Sequence, residues 1–503
     1  MTPAFDLVVI GGGIHGAAVA RDAAGRGLKV LLAESRDYGW ATSSVSSKLI
    51  HGGLRYLEQG HIGLVRKSLA EREVMLRLAP HLVRPLRFLV PLRRGRSRAM
   101  WRMRLGLALY DRLGSRRSLP ASGRLDQAKW PSLAALRRDG LLGVLHYGDC
   151  FIDDSRLVLE TLLDARARGA DIANRREVIA VEACETGFAV TLAECGLRRG
   201  VQARVLVNAT GPWANRSLER LGLDGPRLPL RLVRGSHIVL PCPRPGESDA
   251  FTLQNDDGRV VFVLPWLERF RLVGTTDVEH RGEPGDAQCS EEECLYLIDC
   301  YRRYFDHEVS PADVLWRYAG VRPLIDSGAS LAHRLSRESA LLVDRQGGGA
   351  CLSVYGGKLT THRMLAEQAM DEIARLGIHL GPRWTAAAPL HGGALGRPQL
   401  DALAEQGPPE VPQDTCRRWT ATYGSETAAL YERIRKCPAL GRPIALGVPE
   451  AELDYAAEVE DARSAEDFLF RRTKLFLTLD APGRRAIERW FEASGDRRAA
   501  ASG

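Results

Sequence analysis

Residues 5–34, FDLVVIGGGIHGAAVARDAAGRGLKVLLAE, decide the fold class of this chain. The apolar run at the start predicts a buried strand, and the glycines that follow predict a turn. A helix is expected from about Ile14 to Arg26, followed by a second apolar strand that ends at Glu34. Together these elements form one βαβ unit, which predicts an α/β fold.

The glycine turn of this unit has the spacing of a dinucleotide-binding site. Gly11 permits the tight turn, Gly13 lets the backbone approach a pyrophosphate, and Gly16 allows the helix to pack closely on the strand. The helix N-terminus favours the anion. Glu34 stands 18 residues after Gly16, where a carboxylate can accept hydrogen bonds from an adenosine ribose.

Two further turns favour flavin over nicotinamide. Residues 208–211, NATG, end an apolar strand, and residues 356–361, GGKLTT, lie between a strand and a helix. A helix N-terminus directed at the N1/C2 edge of an isoalloxazine would stabilise the negative charge of reduced flavin. The residues of these turns expected to contact the cofactor are Ala209, Gly211, Gly357, Leu359 and Thr360.

The remaining patterns outline the domain organisation. Helices are predicted over about 61–78, 98–113 and 155–168, the last capped by Asp153 or Asp154. VIAVEA, FAVTLA and ARVLVNATG predict a meander, whereas SHIVLP, RVVFVLP and FRLVGTTD predict a second, more exposed sheet. A Pro/Gly/Ala-rich linker at 381–397 precedes a purely helical C-terminal region.

Composition predicts a globular cytoplasmic protein. The 503 residues, 45% of them hydrophobic, are enough for two or three domains. The first strand begins too early to leave room for a signal peptide, and no run of 18 apolar residues predicts a membrane span. The ten cysteines are scattered, without metal-ligand or redox spacing.

A basic segment accounts for part of the net charge of +8. Nine arginines and one acid, Asp111, lie between Arg93 and Arg117, interleaved with Trp101 and several leucines. Arginines over anionic headgroups with inserted apolar side chains are typical of an interfacial membrane anchor. The alternative is a solvated helix packed on its own domain.

ATSSVSSKLIHGGLRYLE, residues 41–58, resembles the aerobic, FAD-dependent glycerol-3-phosphate dehydrogenases. Supporting stretches are LVNATGPWAN (206–215), RLVRGSHIVLP (231–241), VGTTDVEH (273–280), YAGVRPL (318–324), LSVYGGKLTTHR (352–363) and FRRTK (470–474). The resemblance covers nearly the whole chain. It implies a glutathione-reductase-like FAD-binding fold of the D-amino-acid-oxidase type, non-covalent FAD, an inserted α+β substrate domain and a helical C-terminal cap.

The boundaries that follow place the FAD-dependent oxidoreductase region at 1–383. Its FAD-binding parts are about 1–80, 140–215 and 318–380, and its substrate domain is about 81–139 and 216–317. A linker at 384–397 leads to the helical domain at 398–503.

The resemblance also implies a reaction: oxidation of sn-glycerol 3-phosphate to dihydroxyacetone phosphate by hydride transfer from C2 to FAD, in glycerol catabolism. Electrons would pass to a membrane quinone at the inner face of the cytoplasmic membrane. The further cofactor contacts implied are Thr42, Ser46, Ser47, Lys48, Leu49, His51 and Gly53. The substrate contacts implied are Arg55, Tyr56, Thr275, Arg322 and Lys358, and a phosphate handle does call for such cations.

Alcohol oxidation also needs a group that takes the hydroxyl proton. His237, in a strand of the substrate domain, is the preferred acceptor because imidazole titrates near neutral pH. His51 is the second candidate and is otherwise a flavin contact. Arg322 and Lys358 complete the candidate catalytic set.

Several alternatives stay open at this point. A glycerol-3-phosphate oxidase would share the fold and deliver electrons to oxygen. An amine or amino-acid oxidase would hold a carboxylate with one arginine, which several cations around one site argue against. A non-catalytic flavin sensor is a third reading. No nucleic-acid-binding motif is present in the sequence, and whether the chain forms a homodimer is undecided.

Overall fold

The structure is a computed structural model that describes residues 4–58, 60–94, 100–114, 118–128, 133, 136–244, 246–326, 328 and 337–502. In chain order its strands are β1 Phe5–Ile10, β2 Val30–Ala33, β3 Leu49–Ile50, β4 Arg84–Arg93, β5 Gly123–Arg124, β6 Leu141–Phe151, β7 Asp171–Ala173, β8 Arg176–Cys184, β9 Gly187–Glu194, β10 Leu197–Asn208, β11 Leu230–Pro241, β12 Ala250–Gln254, β13 Val260–Trp266, β14 Phe270–Gly274, β15 Val278–Glu279, β16 Trp316–Ile325, β17 Ser339–Gln346, β18 Gly349–Gly356, β19 Pro443–Ala445 and β20 Val448–Pro449.

The helices are α1 Ile14–Gly25, α2 Arg55–Glu58, α3 Ile62–Leu78, α4 Met100–Leu113, α5 Asp154–Ala167, α6 Ala214–Arg220, α7 Glu291–Tyr304, α8 His362–Arg375, α9 Arg397–Glu405, α10 Gln413–Tyr423, α11 Thr427–Lys436, α12 Glu450–Glu458 and α13 Ala481–Ser502. The side chain of Asp153 caps α5 by accepting from the Arg156 amide, as predicted. No helix in the described ranges is both long enough and apolar enough to cross a membrane.

The first sheet has the strand order β17-β18-β10-β1-β2-β7. Its central pairs, β18 with β10, β10 with β1, and β1 with β2, are parallel, and β17 is an antiparallel edge. The predicted meander is confirmed, because β8, β9 and β10 pair antiparallel in succession. Helices α1, α5 and α8 cover one face, where Leu7 and Val9 lie in the core. Since parallel strands end at one edge, all three glycine turns meet there.

The second sheet has the order β15-β11-β14-β13-β12-β4-β6-β3, with β16 on β11 and β5 on β6. The prediction that this sheet is more exposed is wrong, because β12 and β14 are buried along their whole length. Helix α7 covers one face, and α3 and α4 cover the other. A covered sheet buries both sets of alternating side chains, and the sequence does not reveal which helices will cover it.

Three strands of this second sheet, β3, β6 and β16, fall wholly or mostly outside the predicted substrate segments. Strands β6 and β16 pair with β4 and β11, although the sequence assigns most of their residues to the FAD-binding parts. Along the chain, these strands are followed by strands of the first sheet, β7 after β6 and β17 after β16. The site therefore lies where chain segments pass between the sheets.

The C-terminal region is helical apart from one short hairpin, β19 with β20. The prediction of a purely helical region is wrong at this point, because Pro443 and Pro449 interrupt helices and Gly447 turns the chain with φ +69°. The predicted linker is ordered: the Leu390 amide donates to the Leu78 carbonyl, and the Leu390 side chain lies in the first core. It is thus a packed segment that crosses the FAD-binding part.

Candidate active site

A cavity of about 1160 Å³ opens where the three glycine turns meet the second sheet. Most of the predicted cofactor residues line it: Gly11, Gly13, Glu34, Thr42, Ser46, Ser47, Leu49, His51, Gly53, Ala209, Gly211, Gly357, Leu359 and Thr360. The predicted substrate residues Arg55, Tyr56, Thr275, Arg322 and Lys358 line it as well. One cavity therefore joins both predicted sets.

The first glycine turn fits a close approach of an anion. Gly11 has φ +107°, and a Cβ built there would lie 2.8 Å from the Ala209 carbonyl oxygen. At Gly16 a Cβ would overlap the Gly11 carbonyl, so this glycine lies behind the turn and serves close packing rather than lining the cavity. The Ile14 amide donates to Ser43 Oγ at 3.0 Å, which fixes the start of α1. The turn leads directly into the N-terminus of α1, whose partial positive charge favours a pyrophosphate.

Glu34 follows β2, and its side chain lies beside the same glycine turn. Its Oε2 accepts from the Gly12 amide at 2.7 Å, and its Oε1 accepts from the Arg36 amide at 2.7 Å. Burial raises the pKa of this carboxyl, while the two amide hydrogen bonds oppose the rise. Each carboxylate oxygen still has a lone pair for a ribose hydroxyl. The residue is held in place for the predicted contact.

Three arginines converge on one carboxylate in the same cavity. Asp277 Oδ1 lies 2.9 Å from Arg322 Nη1 and 3.4 Å from Arg337 Nη2. Its Oδ2 lies 3.8 Å from Arg55 Nη1. Arg322 Nη2 also donates to Thr275 Oγ1 at 2.8 Å. All five side chains line the cavity.

This cluster carries a net positive charge. Burial alone would raise the pKa of Asp277, but Arg322, Arg337 and Arg55 outweigh it and lower that pKa. Burial, with Arg337 nearby, lowers the pKa of Arg322 to about 10, so its guanidinium stays protonated at neutral pH. One carboxylate cannot neutralise three guanidiniums, and a dianion is the complementary ligand.

Lys358 and Tyr56 form the wall next to the arginines. Lys358 Nζ lies 3.9 Å above the centre of the Tyr56 ring and 3.5 Å from Ser68 Oγ. Burial, with Arg337 nearby, lowers the pKa of Lys358 to about 8. Burial would raise the pKa of the Tyr56 phenol, yet the surrounding cations lower it overall. The lysine is therefore an amine that can exchange a proton near neutral pH.

Lys48 is not among the residues that line the cavity, and its cofactor contact stays a prediction. Its Nζ is buried and lies 2.6 Å from Asp154 Oδ1. The backbone of Lys48 has φ +55°. A buried ammonium requires a counter-charge, and Asp154 supplies it. Ser46 Oγ donates to the same carboxylate at 2.8 Å. The hydroxyl of Thr42 likewise donates within the protein, to the Val321 carbonyl.

His237 is not among the residues that line the cavity, and its role as the proton acceptor stays a prediction. Its Nε2 lies 3.0 Å from Ser47 Oγ, and its ring stacks on Tyr318 with centroids 4.9 Å apart. Burial, with Arg322 and Lys48 nearby, lowers its pKa well below the ordinary value. His51 does line the cavity, but burial and the neighbouring cations lower its pKa to about 3.

The sequence reasoning missed Asp277 and Arg337. Asp277 lies within VGTTDVEH, a stretch that supported the family resemblance, so a signal for it was present. Arg337 follows residues 329–336, which lie outside the described part of the chain, and it belongs to no motif. Its approach to Asp277, which is visible only in the tertiary structure, identifies it as a residue of the site.

Two family profiles match the chain. The profile described as "FAD dependent oxidoreductase" matches residues 6–363, and that described as "C-terminal domain of alpha-glycerophosphate oxidase" matches residues 383–497. The "Aerobic glycerol-3-phosphate dehydrogenase" of Escherichia coli (strain K12) is 41% identical over 496 residues, which are 97% of this chain and 97% of that protein. The chain belongs to the FAD-dependent glycerol-3-phosphate dehydrogenase family. The predicted family is confirmed.

Members of this family differ in the substrate that they are named for. The "D-erythritol 1-phosphate dehydrogenase" of Brucella abortus (strain 2308) is 39% identical over 492 residues, 97% of each chain. A solved glycerol-3-phosphate dehydrogenase from Bacillus halodurans, complexed with FAD, aligns with a TM-score of 0.77 at 27% identity. The alignment covers 98% of this chain and 91% of that one. The predicted fold and FAD as the cofactor are confirmed.

Proposed function

We propose that this protein oxidises sn-glycerol 3-phosphate to dihydroxyacetone phosphate and passes the electrons to a membrane quinone. FAD, when bound, supplies the hydride acceptor. The observation that carries the substrate assignment is the cluster of Arg55, Arg322 and Arg337 around Asp277, in the same cavity as the glycine turns. A phosphate dianion balances this charge, and bidentate arginine contacts hold it in one orientation.

Holding the phosphate positions the carbon that reacts. A substrate anchored at one end presents its C2 hydrogen in one direction, which lowers the entropic part of the barrier. Thr275 Oγ1, which accepts from Arg322 and donates to the Thr276 carbonyl, keeps a lone pair for a hydroxyl group of the substrate. The glycine turns, with Glu34 on the ribose, hold FAD non-covalently on the other side of the cavity.

Lys358 is the proton acceptor in this proposal. It lines the cavity, whereas His237 does not, and its pKa of about 8 is closest to the working pH among the basic groups on the wall. A base whose pKa lies near the ambient pH is the most effective one. Lys358 Nζ, in its neutral form, takes the proton of the C2 hydroxyl as the hydride leaves.

Helix α4 supports a quinone acceptor at a membrane surface. Trp101, Leu105 and Leu109 are spaced four residues apart and are exposed, while Met103 and Gly106 of the same helix line the cavity. Apolar side chains on the outer face would insert among headgroups of the inner leaflet, with Arg104 and Arg112 near the lipid phosphates. A quinone in the bilayer would then lie next to the cavity mouth.

The proposal also assigns domains. The first sheet with α1, α5 and α8 is the FAD-binding part. The second sheet is the substrate domain: its strand β16 carries Arg322, and Thr275 and Asp277 lie between β14 and β15. Residues 398–503 form the cap domain.

Anaerobic titration tests the substrate. Glycerol 3-phosphate should bleach the flavin absorbance stoichiometrically, whereas glycerol, which lacks the phosphate, should bleach it very slowly. D-erythritol 1-phosphate is the informative comparison because of the relative named for it. A higher kcat/KM with D-erythritol 1-phosphate than with glycerol 3-phosphate would reassign the substrate, and no bleaching by either would favour a flavin sensor.

Reoxidation of the reduced protein tests the electron acceptor. A short-chain quinone should reoxidise it much faster than air-saturated buffer does. Faster reoxidation by oxygen, with peroxide formed, would assign the oxidase reaction instead.

A further inference from the structure

His15 is the second residue of α1 and lies inside the first glycine turn, between Gly13 and Gly16. It lines the cavity. A Cβ built on Gly357 would lie 2.8 Å from His15 Cε1, so the imidazole packs directly against the third glycine turn. His15 therefore joins the first turn to the third.

The imidazole ring of His15 has one nitrogen whose hydrogen-bonding capacity is not satisfied by the described part of the protein. Its Nε2 is buried and has no hydrogen-bond partner among the residues that the structure describes. Burial lowers the pKa of His15 to about 4, and a hydrogen bond with the Lys358 backbone opposes this change. A proton on Nδ1 fits this contact with the Lys358 backbone, because a hydrogen bond that raises a histidine pKa is one that the ring donates. In the neutral ring, Nε2 then carries the lone pair and is an acceptor.

The position of His15 along the sheet decides which half of FAD lies beside it. Glu34 follows β2, and Gly357 follows β18, three strand positions away in the order β18-β10-β1-β2. Neighbouring strands are about 4.8 Å apart, so these sites are separated by roughly 14 Å. A dinucleotide with its adenosine ribose at Glu34 extends its ribityl and isoalloxazine groups toward Gly357 and His15. Those groups carry hydroxyl and N3–H donors.

We propose that His15 Nε2 accepts a hydrogen bond from the flavin half of FAD, and that His15 thereby contributes to the binding of FAD but not of ADP. The inference depends on FAD occupying the cavity in this direction and is independent of the alcohol substrate. Glu34 is its counterpart, because it holds the adenosine half.

The test compares two ligands in four proteins: wild type, His15→Leu, His15→Gln and Glu34→Gln. The Kd of FAD is obtained from flavin fluorescence on dilution of the holoenzyme, and the affinity of ADP from the FAD that it displaces. Leucine fills similar space without an acceptor, so His15→Leu should raise the Kd of FAD about five- to tenfold, the effect of one hydrogen bond. It should leave ADP affinity unchanged. His15→Gln, which keeps an acceptor oxygen, should recover part of the loss.

Glu34→Gln should instead weaken ADP and FAD by the same factor. An unchanged Kd of FAD in His15→Leu would overturn the proposal, and so would an equal loss of ADP and FAD affinity in that variant. If Glu34→Gln affected neither ligand, the direction of FAD in the cavity would be wrong, and the proposal would fall with it. Bleaching by glycerol 3-phosphate in wild type is measured separately, so a wrong alcohol substrate would not be mistaken for any of these results.

Discussion

Asp277 sets the charge balance of the substrate site. Its carboxylate lies within 3.8 Å of Arg55, Arg322 and Arg337, and it is the only acid among these side chains. The acid orients the guanidiniums and lowers their mutual repulsion, while the cluster as a whole stays cationic. A phosphate dianion entering this site would meet donors that are already in position.

Replacing Arg322 tests this phosphate cradle. A hydrogen bond to a charged group contributes about 1.5–3 kcal/mol, so Arg322→Ala should lower kcat/KM for glycerol 3-phosphate by about ten- to a hundredfold or more. Arg322→Lys should recover only part, because lysine keeps the charge and loses the planar fork. FAD content should not change in either variant.

Two comparisons make the result specific. Arg317→Ala is the matched control, because Arg317 lies on the same strand, is exposed and pairs with Glu291. It should keep wild-type kinetics. With glycerol as substrate, Arg322→Ala should cause little further loss. Equal losses with glycerol and glycerol 3-phosphate would show that Arg322 acts on the alcohol or the flavin.

Lys358 gives a prediction about pH. Its pKa in the folded protein is lowered to about 8, and the neutral amine is the form that accepts a proton. Accordingly, kcat/KM should rise as the pH increases through about 8 and then level off. Lys358→Met should lower kcat/KM by about 10²–10⁴-fold and abolish this limb of the pH profile.

His51→Asn is the control for this assignment, since His51 also lines the cavity. The limb near pH 8 should persist in His51→Asn. If it persisted in Lys358→Met and disappeared in His51→Asn, the histidine would be the base.

At the scale of elements, α4 has two different faces. Met103, Leu107 and Tyr110 pack into the core of the second sheet, and Trp101, Leu105 and Leu109 face outward. The helix is thus both packed on its domain and apolar on its solvent side. Of the basic residues predicted for this segment, Arg98 and those at 96, 116 and 117 lie outside the described residues.

Charge reversal on α4 should release the protein from membranes. An arginine near an anionic surface contributes about 1 kcal/mol, so Arg104→Glu with Arg112→Glu should weaken binding to phosphatidylserine vesicles by at least about thirtyfold. Trp101→Ser with Leu105→Ser should weaken it as well. Flotation on a density gradient measures the bound fraction.

Leu446→Ser offers a matched surface control, because Leu446 is 91% exposed in the C-terminal region. It should float like wild type, and high salt should reduce binding of wild type by screening the arginines. Equal flotation of all variants would mean that α4 is an ordinary surface helix.

At the scale of the whole molecule, a cluster of buried ion pairs links the C-terminal region to the FAD-binding part. Asp37 lies in the segment that follows β2 and Glu34, and it pairs with Arg471 at 2.5 Å and with Arg472 at 2.5 Å and 2.8 Å. Both arginines come from FRRTK, a stretch that supported the family resemblance. The motif therefore supports the segment that follows Glu34, the residue predicted to contact the adenosine ribose.

Removing the carboxylate should destabilise the protein. Asp37→Asn removes the carboxylate that two buried guanidiniums share. Because Arg471 keeps Asp467 and Arg472 keeps the Glu460 carbonyl, we expect a cost of about 3 kcal/mol, the lower end for a broken buried pair, and a Tm lower by several degrees. Burial would raise the pKa of Asp37, but Arg472 and Arg471 outweigh it and lower that pKa far below its usual range. The contribution is present above the unfolded pKa of about 4 and is lost as the pH falls below it.

Asp371→Asn breaks a surface pair with Arg383 and is the control, for which a loss of about 1 kcal/mol or less is expected. The Tm difference between wild type and Asp37→Asn should shrink as the pH is lowered from 7 toward 3. A difference that does not depend on pH would mean that the carboxylate charge is not what stabilises the contact.

The sequence by itself determined the βαβ unit, the three glycine turns and the family. These features depend on local patterns: period-two and period-3.6 hydrophobicity, glycine spacing and short contiguous motifs. Most residues of the three glycine turns lie on the cavity wall for the same reason, since the position of these turns at the sheet edge follows from strand order.

Only the tertiary structure decided which side chains face the cavity and which turn away. Lys48 is drawn to Asp154, 106 residues further along the chain, and His237 meets Ser47 across 190 residues. Arg337 reaches Asp277 from a stretch without any motif. These positions are set by the charge and burial of distant partners, which local sequence patterns do not encode.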